Sequence, residues 1–264
     1  MIRHPRPSPF WGSQAWRCAT EQWARDQLAG LGLRACGPMI DVSDQAWSAV
    51  WRIPTHSGSV IVKQTTPTRR YEGKHIAFAA AVAPSQVDPP LAVDTTAGRI
   101  LLVDRGPSLH DRNPRTHGLE LGNVPALMID YARLQQATIG HDQQARNRFR
   151  YIDFGDAAWT HPFLSLNMTI VECRYRWSVP DQDEGLNLDH PVLRRILDSY
   201  LSAWTDYAPL DALRETLRHA LRISPLRRSS AWIGNLAYAD DQNRTEHGAM
   251  PWIWLEDLTL PVLF

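Results

Sequence analysis

The chain has 264 residues, and its 28 basic and 28 acidic residues give a formal net charge of +0 at pH 7. This length is enough for a sizeable buried core divided between two lobes. Because the charges balance, nothing in the composition favours nucleic acid or an anionic membrane surface as a partner.

We expect neither an export signal nor a membrane-spanning segment. Its longest apolar run, residues 76–83, is too short to span a bilayer, and the first residues lack the apolar core of a signal peptide. The three cysteines, Cys18, Cys36 and Cys173, are scattered and odd in number, which fits neither a metal motif nor a disulfide framework. We therefore expect a cytoplasmic protein without a membrane partner.

The N-terminal part of the chain predicts a sheet. A helix over residues 13–28 comes first, with Trp16, Ala19, Trp23 and Gln27 on one face and a stop signal at Gly30. Apolar runs separated by turn residues then predict three strands, a helix and two strands. These elements cover residues 39–42, 49–53, 59–64, 69–82, 91–93 and 99–103. Their order favours a small antiparallel sheet with one helix packed on it.

The C-terminal part of the chain predicts helices. Residues 107–123 are rich in turn-forming residues and are typical of a linker, and residues 124–138 have helical periodicity. Asp189 is the predicted N-cap of a helix whose apolar stripe runs from Leu193 to Trp204.

Two further apolar stripes follow, one over residues 210–221 and a weaker one formed by Leu226, Ile233 and Leu236. The fold class that we expect is α+β. The predicted domains are an N-lobe over residues 1–104 and a mainly helical C-lobe over residues 105–264.

Lys63 ends an apolar strand in a chain with only one other lysine, Lys74. A lysine at this position suggests a compact point charge, which suits contact with nucleotide phosphates. Glu72 lies nine residues later and would orient the ammonium if its helix packs on the sheet. The alternatives are a strand-end lysine in solvent and a solvated carboxylate favoured by the helix dipole.

A third polar position is Asp153, which follows the apolar pair Tyr151-Ile152 and precedes Phe154-Gly155. This pattern predicts a carboxylate on a turn, and such a group commonly binds Mg²⁺ beside phosphates. An ordinary turn is the alternative, since Asp and Gly are frequent in turns. The order of strand Lys, helix Glu and strand Asp favours the phosphate interpretation.

In this order and in local sequence the chain resembles the aminoglycoside phosphotransferase family, the kinase-like enzymes that include choline kinase relatives. The matching stretches are collinear and cover most of residues 35–240. They are residues 47–53, the strand ending in Lys63, the helix carrying Glu72, and residues 99–106, 131–135, 152–157 and 161–163.

The resemblance implies a bilobal protein-kinase-like fold, with an antiparallel sheet in the N-lobe and a shortened, mainly helical C-lobe. It also implies that Lys63 contacts ATP phosphates, that Glu72 holds Lys63, and that Asp153 binds Mg²⁺. The hinge that would bind adenine through its backbone consists of Leu102, Val103 and Asp104.

The catalytic loop departs from the family pattern. In the family a His-Gly-Asp segment orients or deprotonates the substrate hydroxyl, and an Asn five residues later holds a second metal ion. The nearest segment here is Gly140-His141-Asp142, which would make Asp142 the catalytic carboxylate and Asn147 a metal ligand. Only five residues separate Asn147 from Asp153, too few for the hairpin of the kinase fold. The preferred interpretation is that the catalytic loop is absent.

Three hypotheses stay open. The first is an ATP-dependent phosphotransferase that acts on a hydroxyl of a small-molecule acceptor and is impaired by loss of the catalytic loop. The second is a non-catalytic, pseudokinase-like nucleotide-binding or scaffold protein. The third is an incomplete gene product that lost this segment. None of the three specifies an oligomeric state.

Overall fold

The structure is a computed structural model that describes residues 13–45, 47–106, 121–139, 161–177, 179, 186–259 and 262–263. It is a mixed α and β structure with a five-stranded antiparallel sheet, as the predicted α+β class requires. The described residues form two compact units. Residues 13–105 and Ala231–Met250 belong to the first unit, and the remaining described residues belong to the second.

All five predicted strands are present in the first unit. They are β1 (Ile40–Gln45), β2 (Ser48–Thr55), β3 (Gly58–Thr65), β4 (Ala92–Asp94) and β5 (Arg99–Val103). Their order across the sheet is β1-β2-β3-β5-β4, so β3 lies between β2 and β5. The two faces of β2 and β3 alternate with a period of two, which places Trp51, Ile53 and Val62 on one face and Lys63 on the other.

Helix α1 (Gln14–Gly30) covers the face of the sheet that carries Trp51. Ser13 caps it by accepting a hydrogen bond from the Trp16 backbone N–H at 3.2 Å. The predicted apolar face is wrong in one respect, because Ala19 is exposed and Thr20 is buried in its place. The Thr20 hydroxyl donates to the Trp16 carbonyl at 3.0 Å, and this satisfied hydroxyl can enter the core.

Helix α2 (Glu72–Val82) follows a single 3₁₀ turn, Pro67–Arg69, and packs on the opposite face. The predicted helix began at residue 69, and the difference is this 3₁₀ turn. Gly73 lets α2 approach the sheet closely, since a Cβ atom added there would lie 2.6 Å from Val93 Cγ1. The helix is therefore held against β4 and β5 at its first turn.

The remaining elements are mostly helical. They are α3 (Val124–Ala137), α4 (Leu166–Arg176), α5 (Pro191–Ser202), α6 (Leu210–Leu236), α7 (Asp241–His247), α8 (Met250–Glu256), the 3₁₀ turns Pro162–Ser165 and Asp257–Thr259, and a short parallel pair, β6 (Leu186–Asn187) with β7 (Val262–Leu263). Within the described ranges, no helix is both long and apolar enough to cross a membrane.

The core of the second unit contains a cluster of aromatic rings around Tyr200, which is completely buried. Phe163 meets Tyr200 edge to face with ring centroids 5.7 Å apart, and Trp204 lies 6.1 Å from it. The Tyr200 hydroxyl donates to Gln135 Oε1 of α3. This bond allows a polar group to sit at the centre of an apolar core.

Two predictions about the C-terminal helices are wrong. The N-cap of α5 is His190, whose side chain accepts from the Val192 N–H, whereas Asp189 accepts a hydrogen bond from Arg194. The stripe of Leu226 and Ile233 is exposed, because the buried side of this part of α6 carries Trp232 together with polar residues that an apolar stripe does not include. The buried polar residues are Ser224, Ser229 and Asn235.

A proline lies inside α6 without ending it. Pro225 has no N–H to donate to the Leu221 carbonyl, which would normally accept from the residue four positions later. The Ser224 hydroxyl donates to that carbonyl at 2.8 Å and so replaces the missing bond. The structure thus joins the two predicted stripes into a single helix.

Candidate functional site

Lys63 and Glu72 meet on the face of the sheet opposite α1. Lys63 Nζ donates to Glu72 Oε1 at 2.6 Å. The Lys63 side chain is 20% exposed and the Glu72 side chain 4% exposed, so the pair is mostly withdrawn from solvent. The structure therefore brings together two of the residues predicted to bind the cofactor, and α2 supplies one partner while β3 supplies the other.

Glu72 lies at the N-terminus of α2. It is the first residue of α2, where the partial positive charge of the helix N-terminus stabilises a carboxylate. Among the described residues, Glu72 is the partner to which the Lys63 ammonium donates, and an ammonium has three N–H donors. Donors therefore remain on Lys63 for an anionic oxygen.

The sheet surface beside Lys63 is apolar and half-buried. We call it the Lys63 face and define it by Val50, Arg52, Ile61, Lys63 and Leu102. Val50 is opposite Lys63 in the β2–β3 register, and Ile61 is opposite Leu102 in the β3–β5 register. Because side chains two apart on a strand share a face, Val50, Ile61 and Leu102 form an apolar platform next to the ammonium.

An ion pair crosses this platform. Arg52 Nε donates to Asp104 Oδ2 at 2.6 Å, and Ser59 Oγ donates to the same oxygen at 2.6 Å. Arg52 belongs to β2 and Asp104 follows β5, so the Arg52 side chain spans β3. Asp104 is only 6% exposed at its side chain, whereas Arg52 is 41% exposed.

The backbone N–H and C=O groups of the predicted hinge residues do not all point to the same side of β5. The Asp104 N–H donates to the Ser59 carbonyl at 3.2 Å, so it belongs to the β3 ladder. Leu102 lies two residues earlier, opposite Ile61, and its polar backbone groups point the same way. Val103 points the other way and lies beyond the last residue pair of β4 with β5. Of the three, Val103 has backbone groups directed away from β3.

The predicted catalytic and metal residues are not part of the described structure. Asp142, Asn147 and Asp153 all lie outside the described residues, and their roles stay predictions. Within the described part of the chain, no cluster of three His, Cys, Asp or Glu side chains could hold a metal ion. The Mg²⁺ prediction therefore depends on Asp153 and Asn147.

The turn between β1 and β2 carries an aromatic residue, Trp47. Trp47 meets Trp232 edge to face with ring centroids 5.4 Å apart, and the Arg69 guanidinium lies 5.8 Å from the Trp47 ring. Arg69 Nε also donates to Asn235 Oδ1 at 3.0 Å. The segment Ala231–Met250 thus packs within the first unit against the strand turn and the start of α2.

Sequence reasoning missed Val50, Ile61 and Arg52 as members of the site. The available signal was the alternation of Arg52 with the apolar Trp51 and Ile53. This alternation places Arg52 on the face opposite these apolar residues, which is also the face expected for Lys63. No protein-family model matches the chain, and no curated protein matches it.

Proposed function

We propose that the chain binds ATP with Mg²⁺ on the Lys63 face and transfers its terminal phosphoryl group to a hydroxyl of a small molecule, with an activity that is impaired by loss of the catalytic loop. In this proposal the first unit is the N-lobe of a bilobal protein-kinase-like fold, and the second is a shortened C-lobe. The observation that carries the proposal is the Lys63–Glu72 ion pair beside a half-buried apolar platform.

Phosphoryl transfer asks a protein mainly to position groups and to neutralise charge. Lys63 would donate to phosphate oxygens through the N–H groups that Glu72 does not use, and Glu72 would keep the ammonium in place. Val50, Ile61 and Leu102 would contact the base, while the outward-facing Val103 backbone would bind its edge. This division assigns the phosphates and the base to neighbouring parts of one sheet face.

The remaining roles follow from the predicted sequence pattern. Asp142 would orient or deprotonate the acceptor hydroxyl, and Asp153 and Asn147 would hold the metal. Bound Mg²⁺ would neutralise charge on the phosphates.

The test is titration calorimetry of the full chain with MgATP. Lys63→Met keeps the length of the side chain and removes its charge, and we expect binding to weaken on the order of tenfold or more, the effect of losing one charge-assisted bond. Lys74→Met is the matched control, because Lys74 is exposed and is the other lysine of the chain. Unchanged affinity in Lys63→Met, with a native circular dichroism spectrum, would reject the site.

A second variant separates the loss of a phosphate contact from misfolding. The double variant Lys63→Met/Glu72→Met removes both charges, which leaves no buried carboxylate without its ammonium. It should fold like the wild type and still bind MgATP weakly. Omission of Mg²⁺ should weaken binding to the wild type, since the proposal includes the metal.

The alternative function is a non-catalytic, pseudokinase-like nucleotide-binding or scaffold protein. The observation that favours it is the five-residue separation of Asn147 from Asp153, which leaves no room for the catalytic-loop hairpin. A phosphoryl-transfer assay with hydroxylated amines and amino sugars distinguishes the two functions. Turnover that Asp142→Asn abolishes supports the enzyme, whereas MgATP binding without turnover supports the alternative.

A further inference from the structure

We infer that Arg52 selects the base of the bound nucleotide and favours a purine with a 6-oxo group over adenine. The inference rests on the proposed function, since it concerns the same nucleotide site. It extends that function by assigning base recognition to a side chain of β2, outside the predicted hinge. Guanosine and inosine triphosphates are the ligands that this chemistry favours.

Arg52 is placed where the base of a nucleotide would lie. Val50 is opposite Lys63 in the register of β2 and β3, and Arg52 follows Val50 by two residues on β2. Arg52 is therefore displaced from Lys63 by about 7 Å along the strand direction. Ile61 is opposite Arg52 in the register. A nucleotide with its phosphates at Lys63 and its ring over Ile61 therefore meets the Arg52 side chain.

Asp104 fixes the direction of the guanidinium. The Asp104 carboxylate is almost fully buried, and it accepts hydrogen bonds at 2.6 Å both from Arg52 Nε and from Ser59 Oγ. The contact with a buried carboxylate restrains the side chain across β3, in contrast to a solvated arginine that samples many rotamers. Arg52 is thus organised before any ligand arrives.

Among the described residues, the Nη1 and Nη2 groups of Arg52 have no hydrogen-bond acceptor, and Asp104 contacts the Nε atom. A guanidinium has five N–H donors in a fixed planar arrangement, and it has no acceptor. With 41% of the side chain exposed, these donors can reach a ligand on the Lys63 face.

Purine edges differ in what they offer to such donors. Guanine presents two acceptors, O6 and N7, which a guanidinium bonds in a bidentate manner. Adenine presents the N7 acceptor beside the N6 amino group, which is a donor and opposes the guanidinium. Hypoxanthine shares the O6 and N7 edge of guanine and lacks its 2-amino group, so it isolates the contribution of this edge.

The competing explanation is that Arg52 only ties β2 to β5. Such a tie would change the stability of the sheet without changing the preference among bases. Base recognition through the Val103 backbone alone would favour adenine or show no preference. Affinity ratios between nucleotides therefore separate a selecting residue from a structural one.

The experiment measures affinities of the full chain for MgATP, MgGTP, MgITP and Mg-tripolyphosphate by titration calorimetry. We expect GTP and ITP to bind on the order of tenfold more tightly than ATP, the effect of one good bidentate contact. Arg52→Met should reduce both ratios to about one while leaving tripolyphosphate affinity unchanged, because Lys63 is intact. Arg105→Met is the matched control, since Arg105 is an exposed arginine just after β5 that also forms an ion pair with an aspartate, Asp88.

A second variant, Arg52→Met/Asp104→Asn, removes the carboxylate charge that the first leaves behind, and it should show the same loss of preference. The inference is overturned if ATP binds as tightly as GTP and ITP, if GTP but not ITP is preferred, or if the preference survives in a folded Arg52→Met. These outcomes leave the proposed function in place. If neither the nucleotides nor tripolyphosphate bind, both the inference and the proposed function fail.

Discussion

The Lys63 ammonium and the Glu72 carboxylate lie 2.6 Å apart although a strand end, a 3₁₀ turn and the start of a helix separate them along the chain. Both side chains are mostly buried, so neither charge is fully solvated. Desolvation of two charges costs free energy that their attraction only partly offsets. The pair therefore contributes little net stability, which agrees with the phosphate-binding role proposed for Lys63.

The first prediction concerns this pair. Lys63→Met and Glu72→Met should each lower the free energy of unfolding by about 2–4 kcal/mol, because either change leaves one buried charge without its partner, while partial exposure of Lys63 moderates the effect. The double variant should lose less than either single variant. Urea unfolding of the four proteins at pH 7 gives the coupling energy directly.

Additive losses in this cycle would show that the two charges do not interact. Lys74→Met is again the control, and its unfolding free energy should stay within about 0.5 kcal/mol of the wild type, as is usual for an exposed side chain.

The second prediction concerns the packing of α2. Gly73→Ala should destabilise the protein by about 1–3 kcal/mol, although alanine favours helix more than glycine does, because the added Cβ would lie 2.6 Å from Val93 Cγ1. Gly73→Ala/Val93→Ala should recover most of this loss. Thermal and urea unfolding measure both variants.

The Gly73 cycle has a matched control in Gly30, the last residue of α1, where an added Cβ atom would meet no other atom within 4 Å. Gly30→Ala should leave stability nearly unchanged. A destabilisation of Gly73→Ala that the Val93 change does not relieve would mean that steric overlap is not its cause.

Much of the sheet could be predicted from local patterns. Apolar runs marked all five strands, and the turn residues between β2 and β3 and between β4 and β5 indicated that these neighbours pair. The Lys63–Glu72 contact could also be predicted, since it requires only that the helix after β3 packs on the sheet. The burial of Thr20 could not be predicted, because it depends on a hydroxyl bond to its own helix and on contact with Gln64 of β3.

Contacts between distant segments were beyond sequence reasoning. The Arg52–Asp104 pair requires the strand order, which puts β3 between the two residues. The Arg69–Asn235 bond joins residues 166 positions apart. Local periodicity carries no information about either pair, and it also assigned Leu226 and Ile233 to the core, whereas Trp232 and Asn235 are the buried residues in that part of α6.

The third prediction concerns the buried phenol of the second unit. Tyr200→Phe should lower the free energy of unfolding by about 1–3 kcal/mol, because Gln135 Oε1 then lacks a donor in a site from which solvent is excluded. The aromatic contacts with Phe163 and Trp204 are kept in this variant. Urea unfolding followed by tryptophan fluorescence provides the measurement.

Tyr207→Phe is the control for Tyr200→Phe, since Tyr207 is 60% exposed and its ring also contacts Trp204. Its effect should stay within about 0.5 kcal/mol. Equal stabilities of the two variants would show that the Gln135 bond contributes nothing.

The last prediction concerns the three thiols. Burial, and to a smaller degree the charge of Glu172, raises the pKa of Cys173 to about 12, whereas Cys18 and Cys36 are exposed. Since the thiolate is the reactive form, Cys18 and Cys36 should react with a disulfide reagent at pH 8 and Cys173 should not. A Cys18→Ser/Cys36→Ser variant isolates Cys173, which should react only as urea unfolds the protein.

The same pKa shift fixes a pH dependence for this variant. The folded state binds the Cys173 proton more tightly than the unfolded state, so its contribution to stability is complete below the ordinary thiol pKa and is lost as pH rises toward about 12. The urea midpoint of the Cys18→Ser/Cys36→Ser variant should therefore fall more steeply above pH 9 than that of a variant that also carries Cys173→Ala. Rapid labelling of Cys173 in the native protein at pH 8 would contradict its burial.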